Sequence, residues 1–574
     1  MNKEEIIRIL EESAVLLELK GESPFKCQAY INAARALALF ENDLTEGVRS
    51  RSLLERQGIG KAMFEKISEW VTTGRLNSYE ELKRSTPSGL LEMLKIKGLG
   101  PKKVRMIYEK LGISDLGELD YACVENRLID LPGFGEKTQD KIREGISFYK
   151  RQQNWRHCHV ASREGAALLG KLREKKGVIR ASLAGSLRRR NEVVQDIDVV
   201  VSCHDAAALI QHIHSFQEIE RVMETNQHKT RLLLKSGIAA DIYVTSDDLF
   251  PYLLHYYTGG KAYLEALSER ARRFGIKISE YGLFLDDHIL PCQDEREIFS
   301  TLEMEYIEPE LRENRGEIEA ASRRALPTLV EEKDLKGVFH VHSAYSDGSA
   351  SLAEMVEATE RLGYQYIGIS DHSESAFYAN GLKEDRIKKQ HEEIDALRER
   401  FKKIHIFKGI EADILPDGRL DYNDRILSSF DFVIASVHSK FNMSEEEMTE
   451  RVTRAMRHPA VTFLGHPTGR LLLSRSGYPL SIPKVIETAR RRDVILEINA
   501  SPYRLDLDWR YCKLAKEAGV RFSVNPDAHQ VEGLSDTSFG VGIARKGWLS
   551  PGDLINTLPV SEIQSYLKKK KNRS

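Results

Sequence analysis

Cysteine is scarce in this chain: six among 574 residues, far apart and without a Cys-x-x-Cys pair. That spacing excludes a disulfide framework and a cysteine zinc finger, and leaves reduced, buried thiols as the expectation. Also missing is any apolar run approaching the ~20 residues of a membrane helix. The acidic start MNKEEIIRILEES is unlike a signal peptide, so the expected location is cytoplasmic, with no membrane partner. Net charge is small as well, −2 at pH 7, which argues against a uniformly basic nucleic-acid binder; such binding must rest on local patches. With 41% hydrophobic and 30% charged residues the chain is not of the disordered class, and its length predicts three to five domains.

What stands out against these absences is AGSLRRRNEVVQDIDVVV, residues 184–201. DIDVVV reads as a buried strand, and its two-residue period puts Asp196 and Asp198 on one face and Ile197 on the other. Two buried carboxylates repel unless a cation sits between them, so the pair reads as a divalent-metal site with room for two ions. The strand AADIYVTS offers a third carboxylate, Asp241, with apolar flanks. Gly185 and Ser186, followed by Leu187-Arg188-Arg189-Arg190, add close backbone approach, a hydroxyl and guanidinium groups, which suit a triphosphate. A lone Asp-x-Asp more often means solvated acids at a strand end; the Gly-Ser partner and the third Asp favour the metal reading. Strands around 179–183, 196–203, 231–235 and 241–245, with a helix after His204, predict a mixed sheet, and a helix is expected over 261–273.

The first 150 residues read as helical. Ile6, Ile7, Leu10, Ala14 and Leu17 form an apolar stripe, and a second helix is expected over 24–40. Three segments then repeat an apolar residue, Gly-x-Gly and a polar helix start: RQGIGKAMFEKI at Gly58 and Gly60, IKGLGPKKVRMI at Gly98 and Gly100, LPGFGEKTQDKI at Gly133 and Gly135. These read as helix-hairpin-helix motifs, in which paired glycines bring helix N-terminal N–H groups against a DNA phosphate without reading its sequence. One Gly-x-Gly is a weak signal, whereas three with matching flanks are strong. A dinucleotide-binding fold would need a preceding strand and a third spaced glycine, and has neither.

From about 334 onward, apolar runs near 338, 364, 404, 430, 461, 494 and 521, each followed by a helical stretch, predict seven β/α units and hence a barrel. Polar residues gather where those strands end: His340, His342, Asp347, Asp371-His372, Glu411, His438, His466, Asp527 and His529. Barrel active sites sit on that rim. Imidazoles and carboxylates converging there make a multinuclear site for zinc, manganese or iron, which the residue types do not separate. Arg419, Lys440, Arg470 and Arg475 are candidates to hold phosphates nearby or are solvated surface, and the run Lys568 to Lys571 reads as a flexible tail.

At Gly185-Ser186, Asp196, Asp198 and Asp241 the chain resembles the nucleotidyltransferase palm of family X DNA polymerases. HYYTGGK, residues 255–261, lies where that family carries Tyr-Phe-Thr-Gly-Ser beside the incoming nucleotide's sugar. With the C-terminal segment, the resemblance is to the bacterial form, a polymerase fused to a PHP (polymerase and histidinol phosphatase) domain. It covers nearly the whole chain. It implies nucleotide contacts at Gly185, Ser186, Arg189, Tyr256, Tyr257 and Gly259, 5′-phosphate contacts at Lys26 and Tyr30, and a deoxyribose-phosphate lyase lysine at Lys66, for which a solvated helix lysine is the alternative. It also implies a filled three-metal PHP site at His340, His342, Asp347, His372, Glu411, His438, His466, Asp527 and His529.

The fold class so implied is multi-domain α/β and α: a helix-hairpin-helix region, a nucleotidyltransferase palm with mixed sheet and thumb, and a C-terminal PHP distorted (β/α)7 barrel. The expected division is an 8-kDa-like DNA-binding domain over 1–85, a fingers-like helix-hairpin-helix region over 86–155, palm over 156–249, thumb over 250–315, linker over 316–333 and PHP domain over 334–574. The implied activity is repair gap filling with Mg²⁺ or Mn²⁺ at the palm. To it are added 3′-to-5′ exonuclease action at three divalent ions (Zn²⁺, Mn²⁺ or Fe²⁺) in the PHP domain, and lyase chemistry at Lys66. The partners implied are gapped or nicked DNA and deoxynucleoside triphosphates. Two departures stand out: Leu264 and Ser268 replace the family's Asn and Arg facing the base pair's minor groove, and Val194-Gln195 replaces a small Ser-Gly. They leave open an alternative, a PHP phosphoesterase or nuclease with a weak or inactive polymerase half.

Overall fold

The computed structural model describes residues 3–38, 40, 43–96, 98–151, 155–286 and 288–572. They fall into two compact units, Met1–Tyr149 and Lys150–Ser574.

In the first unit, α1 (Lys3–Leu19) packs its apolar stripe on α2 (Pro24–Ala38). Ile6, Leu10, Ala14 and Leu17 are buried there against Tyr30, Ala33 and Leu37, while Ile7 is only partly covered. The helix α3 (Lys61–Thr73) adds Met63, Ile67 and Trp70 to the same core. A second core, with Val104, Ile107, Phe134 and Ile142, holds α4 (Pro101–Leu111) and α5 (Glu136–Arg151).

The second unit begins with a five-stranded sheet of β1 (Val178–Leu183), β2 (Asp196–Cys203), β3 (Ile219–Thr225), β4 (Lys229–Leu234) and β5 (Ala239–Thr245). Its order is β1-β2-β5-β4-β3, with β2 and β5 parallel and the other pairs antiparallel. Four of these strands lie where the apolar pattern put them. The edge strand β3 was not expected, because Val222 and Met223 are exposed and IERVMET lacks an inward apolar face. Next come α6 (Phe250–Thr258) and α7 (Lys261–Arg272). Beneath them Arg312, fully buried, donates to Glu295 Oε1 at 2.6 Å and stacks over Phe299 and Tyr306. Glu295 also takes two hydrogen bonds from Arg188, so one buried carboxylate ties the Gly185–Arg188 turn to this helical segment. Ile318, Ala321 and Leu329, expected in a linker, pack into the same core.

Seven parallel strands follow in sequential order: β6 (Gly337–Val341), β7 (Tyr366–Ile369), β8 (His405–Asp413), β9 (Phe432–Ser436), β10 (Val461–Leu464), β11 (Ile495–Asn499) and β12 (Phe522–Asn525). A bridge between Val341 and Ala528 brings the last strand back to the first, so the barrel is nearly closed. Each strand is buried nearly throughout, as strands covered on both faces are, and polar residues such as Glu411, Glu497 and Asn525 interrupt the apolar runs. Two helices matter later: α8 (Thr537–Lys546), packed on β11 and β12, and α9 (Val560–Lys571).

Two expectations are corrected here. The Lys568–Lys571 run is no flexible tail but the last turn of α9, whose Ile563 and Leu567 close the apolar floor formed by Phe339, Tyr366, Phe407, Phe432, Phe463 and Ile495. Its basic residues satisfy carbonyls at the C-terminus of the helix Ile482–Arg492 and ahead of β9: Lys570 Nζ donates to Arg492 O at 2.9 Å and to Asp493 O at 2.5 Å, and Lys571 Nζ to Phe430 O at 3.1 Å. Arg470 is likewise no free phosphate holder. It is mostly covered between Asp508, at 2.6 Å, and Glu192, at 3.3 Å, where it joins the barrel to the segment that precedes β2. Of the other three, Arg475 lies over the Phe441 ring at 4.2 Å and donates to Gly469 O, Arg419 pairs with Asp417 within its own turn, and Lys440 is exposed.

Because α9 is a packed element, Ile563→Ala should lower the stability of the Lys150–Ser574 unit by about 2–5 kcal/mol. A shifted urea midpoint for this unit is the readout. An unmoved midpoint would place the helix outside the core.

Candidate active sites

On the five-stranded sheet, parallel pairing sets Asp198 directly opposite Asp241, one strand over, with Asp196 two residues along on the same face. Asp241 is buried at 3% exposure and the other two are half-buried. Burial, followed by the charges of Asp196 and Asp241, pushes the Asp198 carboxyl up to about 7. Gly185 follows Ala184, whose N–H donates to Asp198 O at 2.8 Å. A side chain at Gly185 cannot fit: its φ is +61°, and a Cβ there would stand 1.8 Å from Asp198 Oδ2. The turn therefore lies against the acid cluster. Three close carboxylates, one driven towards neutrality by burial and then by the other two, form the donor set and the charge excess that a divalent cation relieves, so these residues fit such an ion.

Sequence reasoning missed two cations at this cluster. Arg231 Nη1 donates to Asp241 Oδ2 at 2.8 Å and its Nη2 lies 3.7 Å from Asp196, while Lys229 Nζ is 3.3 Å from Asp241. The signal was available in KTRLLL, whose alternation sends Lys229 and Arg231 to one face, but the antiparallel register that sets Arg231 against Asp241 is long-range. Tyr257 stacks on Tyr243, centroids 3.6 Å apart, and Tyr256 meets Tyr257 edge-on. Arg189 turns its guanidinium to Glu313 at 3.0 Å and Thr258 O at 2.8 Å. Ser186 is half-buried on the same turn. Gly259 carries Leu264 against it, within 2.8 Å of where a Cβ would stand, and Leu264 and Ser268 lie half-buried on α7.

At the carboxyl ends of the barrel strands, nine side chains meet in four overlapping groups whose donor atoms lie within 4.8 Å of one another: His342, Asp347, His372 and His529; His340, His466 and Asp527; His340, His342 and Glu411; His372, Glu411 and His438. Glu411 is the hub. Its Oε1 lies 3.0 Å from His466 Nε2 and 3.2 Å from His340 Nε2 and His438 Nε2, and its Oε2 2.9 Å from His372 Nδ1. Burial pushes its carboxyl up, but His438, His340 and His372 outweigh that and hold it well below the usual range. Among the described residues, His340 Nε2, both nitrogens of His342, both oxygens of Asp347 and Glu411 Oε2 are buried without a hydrogen-bond partner. Donors left bare at one point fit a cluster of divalent ions. The backbone is strained to present them: His340, His466 and Asp527 have φ of +58°, +24° and +52°.

Behind this layer stand carboxylates that sequence reasoning did not single out. Glu497 accepts from His340 Nδ1 at 2.6 Å, His466 N at 2.7 Å and Asn525 Nδ2 at 2.8 Å, and Asp413 meets His438 Nδ1 at 2.5 Å. Both partners hold the Nδ1 proton and so turn Nε2 toward the cluster. Asp371, noted beside His372, faces away. It takes hydrogen bonds from Ser343, Ser346 and Gln390 and braces the loop that carries Asp347.

In the first unit, Gly58, Gly98 and Gly133 have φ of +102°, +94° and +81°, and Gly60 and Gly100 cap α3 and α4 in extended conformation, with Gly135 preceding α5. Beside Gly60, Gly98, Gly100, Gly133 and Gly135 a Cβ would meet nothing within 4 Å, so backbone N–H groups there are open to a phosphate. Lys66, on α3, is half-buried with Nζ 2.9 Å from Ser78 Oγ and 5.9 Å from the Tyr30 ring centroid. Lys26 is exposed and paired with Glu22.

If Glu497 orients the barrel cluster, Glu497→Gln keeps its shape but weakens the grip on His340. Metal affinity should fall roughly 10- to 100-fold, measured as metal retained after dialysis against graded chelator. Retention equal to the parent's would remove Glu497 from that role.

Comparison with known proteins assigns segments of the chain to families. The chain matches the family models for a helix-hairpin-helix domain over residues 1–76, a SAM-like helix-hairpin-helix tandem over 90–147, the DNA polymerase beta thumb over 253–313 and the PHP domain over 339–501. Two probable phosphatases resemble the barrel half. That of Caldanaerobacter subterraneus subsp. tengcongensis is 29% identical over 41% of this chain and 91% of its own length. That of Clostridium acetobutylicum is 26% identical over 40% and 93%. The DNA polymerase/3′-5′ exonuclease PolX of Bacillus subtilis is 37% identical over 99% of this chain and 100% of its own. Helix-hairpin-helix and thumb segments make this a DNA-binding chain, its polymerase and PHP segments imply divalent-metal use, and the chain belongs to the PolX family.

Proposed function

We propose that this protein fills short DNA gaps by template-directed addition of deoxynucleotides and trims 3′ ends with a second, metal-dependent 3′-to-5′ exonuclease site. The observation that carries this is two complete donor sets on one compact unit, three acids on the sheet and nine ligands on the barrel, in a chain alike over its full length to a named polymerase/exonuclease.

At the sheet, Asp196, Asp198 and Asp241 would hold Mg²⁺ or Mn²⁺. Gly185 and Ser186 give the triphosphate close backbone approach and a hydroxyl, Arg189 lends positive charge, and Tyr256, Tyr257 and Gly259 line the sugar's side. At the barrel, the nine residues from His340 to His529 would hold three divalent ions, Zn²⁺, Mn²⁺ or Fe²⁺. Ions held by these residues would supply charge neutralisation at the phosphorus under attack and, at the barrel, would acidify a water. No protein nucleophile is needed there. The barrel's own part is orientation: Glu497 and Asp413 fix the tautomers of His340 and His438, and Glu411 draws the histidines to one point. The three glycine pairs grip backbone phosphates of gapped or nicked DNA, sequence-independently, as repair requires. The substrate places its work in the cytoplasm.

Lys66 adds a lyase step. With Lys26 as contact for a 5′-phosphate, Tyr30 being buried in the core beneath, the Lys66 amine attacks the aldehyde carbon of a ring-opened 5′-deoxyribose phosphate, and loss of water gives a Schiff base. Borohydride should then trap the protein on such DNA, and Lys66→Ala should abolish the trapped band on a denaturing gel. Undiminished trapping in the variant would assign the chemistry elsewhere.

The two-site reading is tested by separation. Asp198→Ala should lower nucleotide insertion by a factor on the order of a thousand or more while leaving exonuclease action intact, and His342→Ala should do the converse. Primer extension and degradation of labelled gapped oligonucleotides report both. Loss of both activities in either folded variant would refute two independent sites.

A further inference from the structure

One buried amine belongs to neither site. Lys546 ends α8 in the barrel half and is 1% exposed. Its Nζ nevertheless reaches the sheet and thumb segments, donating to Glu313 Oε1 at 2.5 Å and to the backbone oxygen of Arg189 at 3.2 Å. The Trp509 ring covers it at 4.5 Å. Arg189 Nε donates to the same Glu313 oxygen at 3.0 Å. One carboxylate thus serves two cations, and the trio carries one net positive charge. Without Lys546, Arg189 and Glu313 would be a neutral pair.

The setting makes this more than a tie between halves. Arg189 directly follows the Gly185–Arg188 turn, its N–H donating to Gly185 O at 3.2 Å, and that turn lies against Asp198. The helix α8 spans both neighbours. Gly542 leaves room for Arg190, whose Cβ would stand 3.3 Å from a Cβ placed there, and Gly540 lets the helix lie on Ala500 and Val524 of the barrel. Burying an ammonium group is costly, and a neutral residue of similar length would fill the same space, so a charge retained here needs a reason beyond packing.

We propose that Lys546 is a positioning residue for nucleotide addition: by sharing Glu313 with Arg189 it keeps the Gly185–Arg189 turn net positive and its backbone fixed for the incoming triphosphate. The barrel half thereby sets the nucleotide affinity of the polymerase half. This rests on the reading of the sheet site as the polymerase site.

The test is single-nucleotide insertion in a one-nucleotide gap by the full chain, with exonuclease action measured in parallel. Lys546→Met keeps the apolar stem and removes the charge. It should raise the nucleotide KM roughly tenfold, change kcat by less than about threefold, and leave exonuclease kcat/KM unchanged. Adding Glu313→Gln frees Arg189 from its neutral pairing, restores the net charge, and should bring KM back to within about threefold of the parent. An unchanged KM in Lys546→Met, a parallel fall of both activities, or a double variant no better than the single one overturns the proposal. Should Lys546→Met fail to fold, Lys546→Gln makes the same comparison. If the parent itself inserts nothing, the polymerase reading falls and takes this proposal with it; if the parent inserts and only the KM prediction fails, Lys546 alone is misassigned.

Discussion

Carboxylates withdrawn from water and set a few ångströms apart govern the rest of this molecule. Asp196, Asp198 and Asp241 on the sheet, and Glu411, Asp347 and Asp527 in the barrel, are partly or wholly buried, where less solvent is at hand to screen their mutual repulsion. The two sites answer this differently. The sheet brings up Arg231 and Lys229, whereas the barrel surrounds its acids with histidines whose tautomers are held from behind by Glu497 and Asp413. In both, the acids are tolerable only with cations close by, and the fold around them is arranged to admit those cations at fixed points.

Charge also joins the parts. Glu295 binds Arg188 and Arg312, Glu192 binds Arg470 and the Trp509 indole, and Glu313 binds Arg189 and Lys546. Each of these acids, two buried and Glu313 partly so, takes two donors from different segments of the chain. Such junctions require geometry on both sides, which apolar packing does not, so they fix how the sheet, the helical segment after it and the barrel sit within their one unit.

Much of this was legible in the sequence, for a local reason. DIDVVV announces its own faces, so two of the acids and their strand could be read directly, and six of the seven apolar runs, all but the one near 494, lead into residues that line the barrel mouth. The three Gly-x-Gly segments carry their meaning within a few residues. What stayed hidden depends on partners far along the chain. Glu497 and Asn525 look like polar residues inside apolar strands until the barrel closes on His340. Arg231 looks like a solvated edge residue until its register against Asp241 is known. Arg470 resembled a phosphate holder because its acids, Glu192 and Asp508, lie in other elements. The lysines of α9 resembled a tail because the carbonyls that Lys570 satisfies belong to a helix end more than seventy residues away.

The left-handed backbone at His340, His466 and Asp527 bears on how this centre can change over time. Each position asks two unrelated things of its residue, a donor atom at one point and a main-chain conformation that side chains with a Cβ resist. Glycine would satisfy the second and forfeit the first, while most donors would meet the first at the expense of the second. Asn, Asp and His come nearest to meeting both, being the donors that adopt this conformation most readily, so the replacements each of these positions can accept form a very short list.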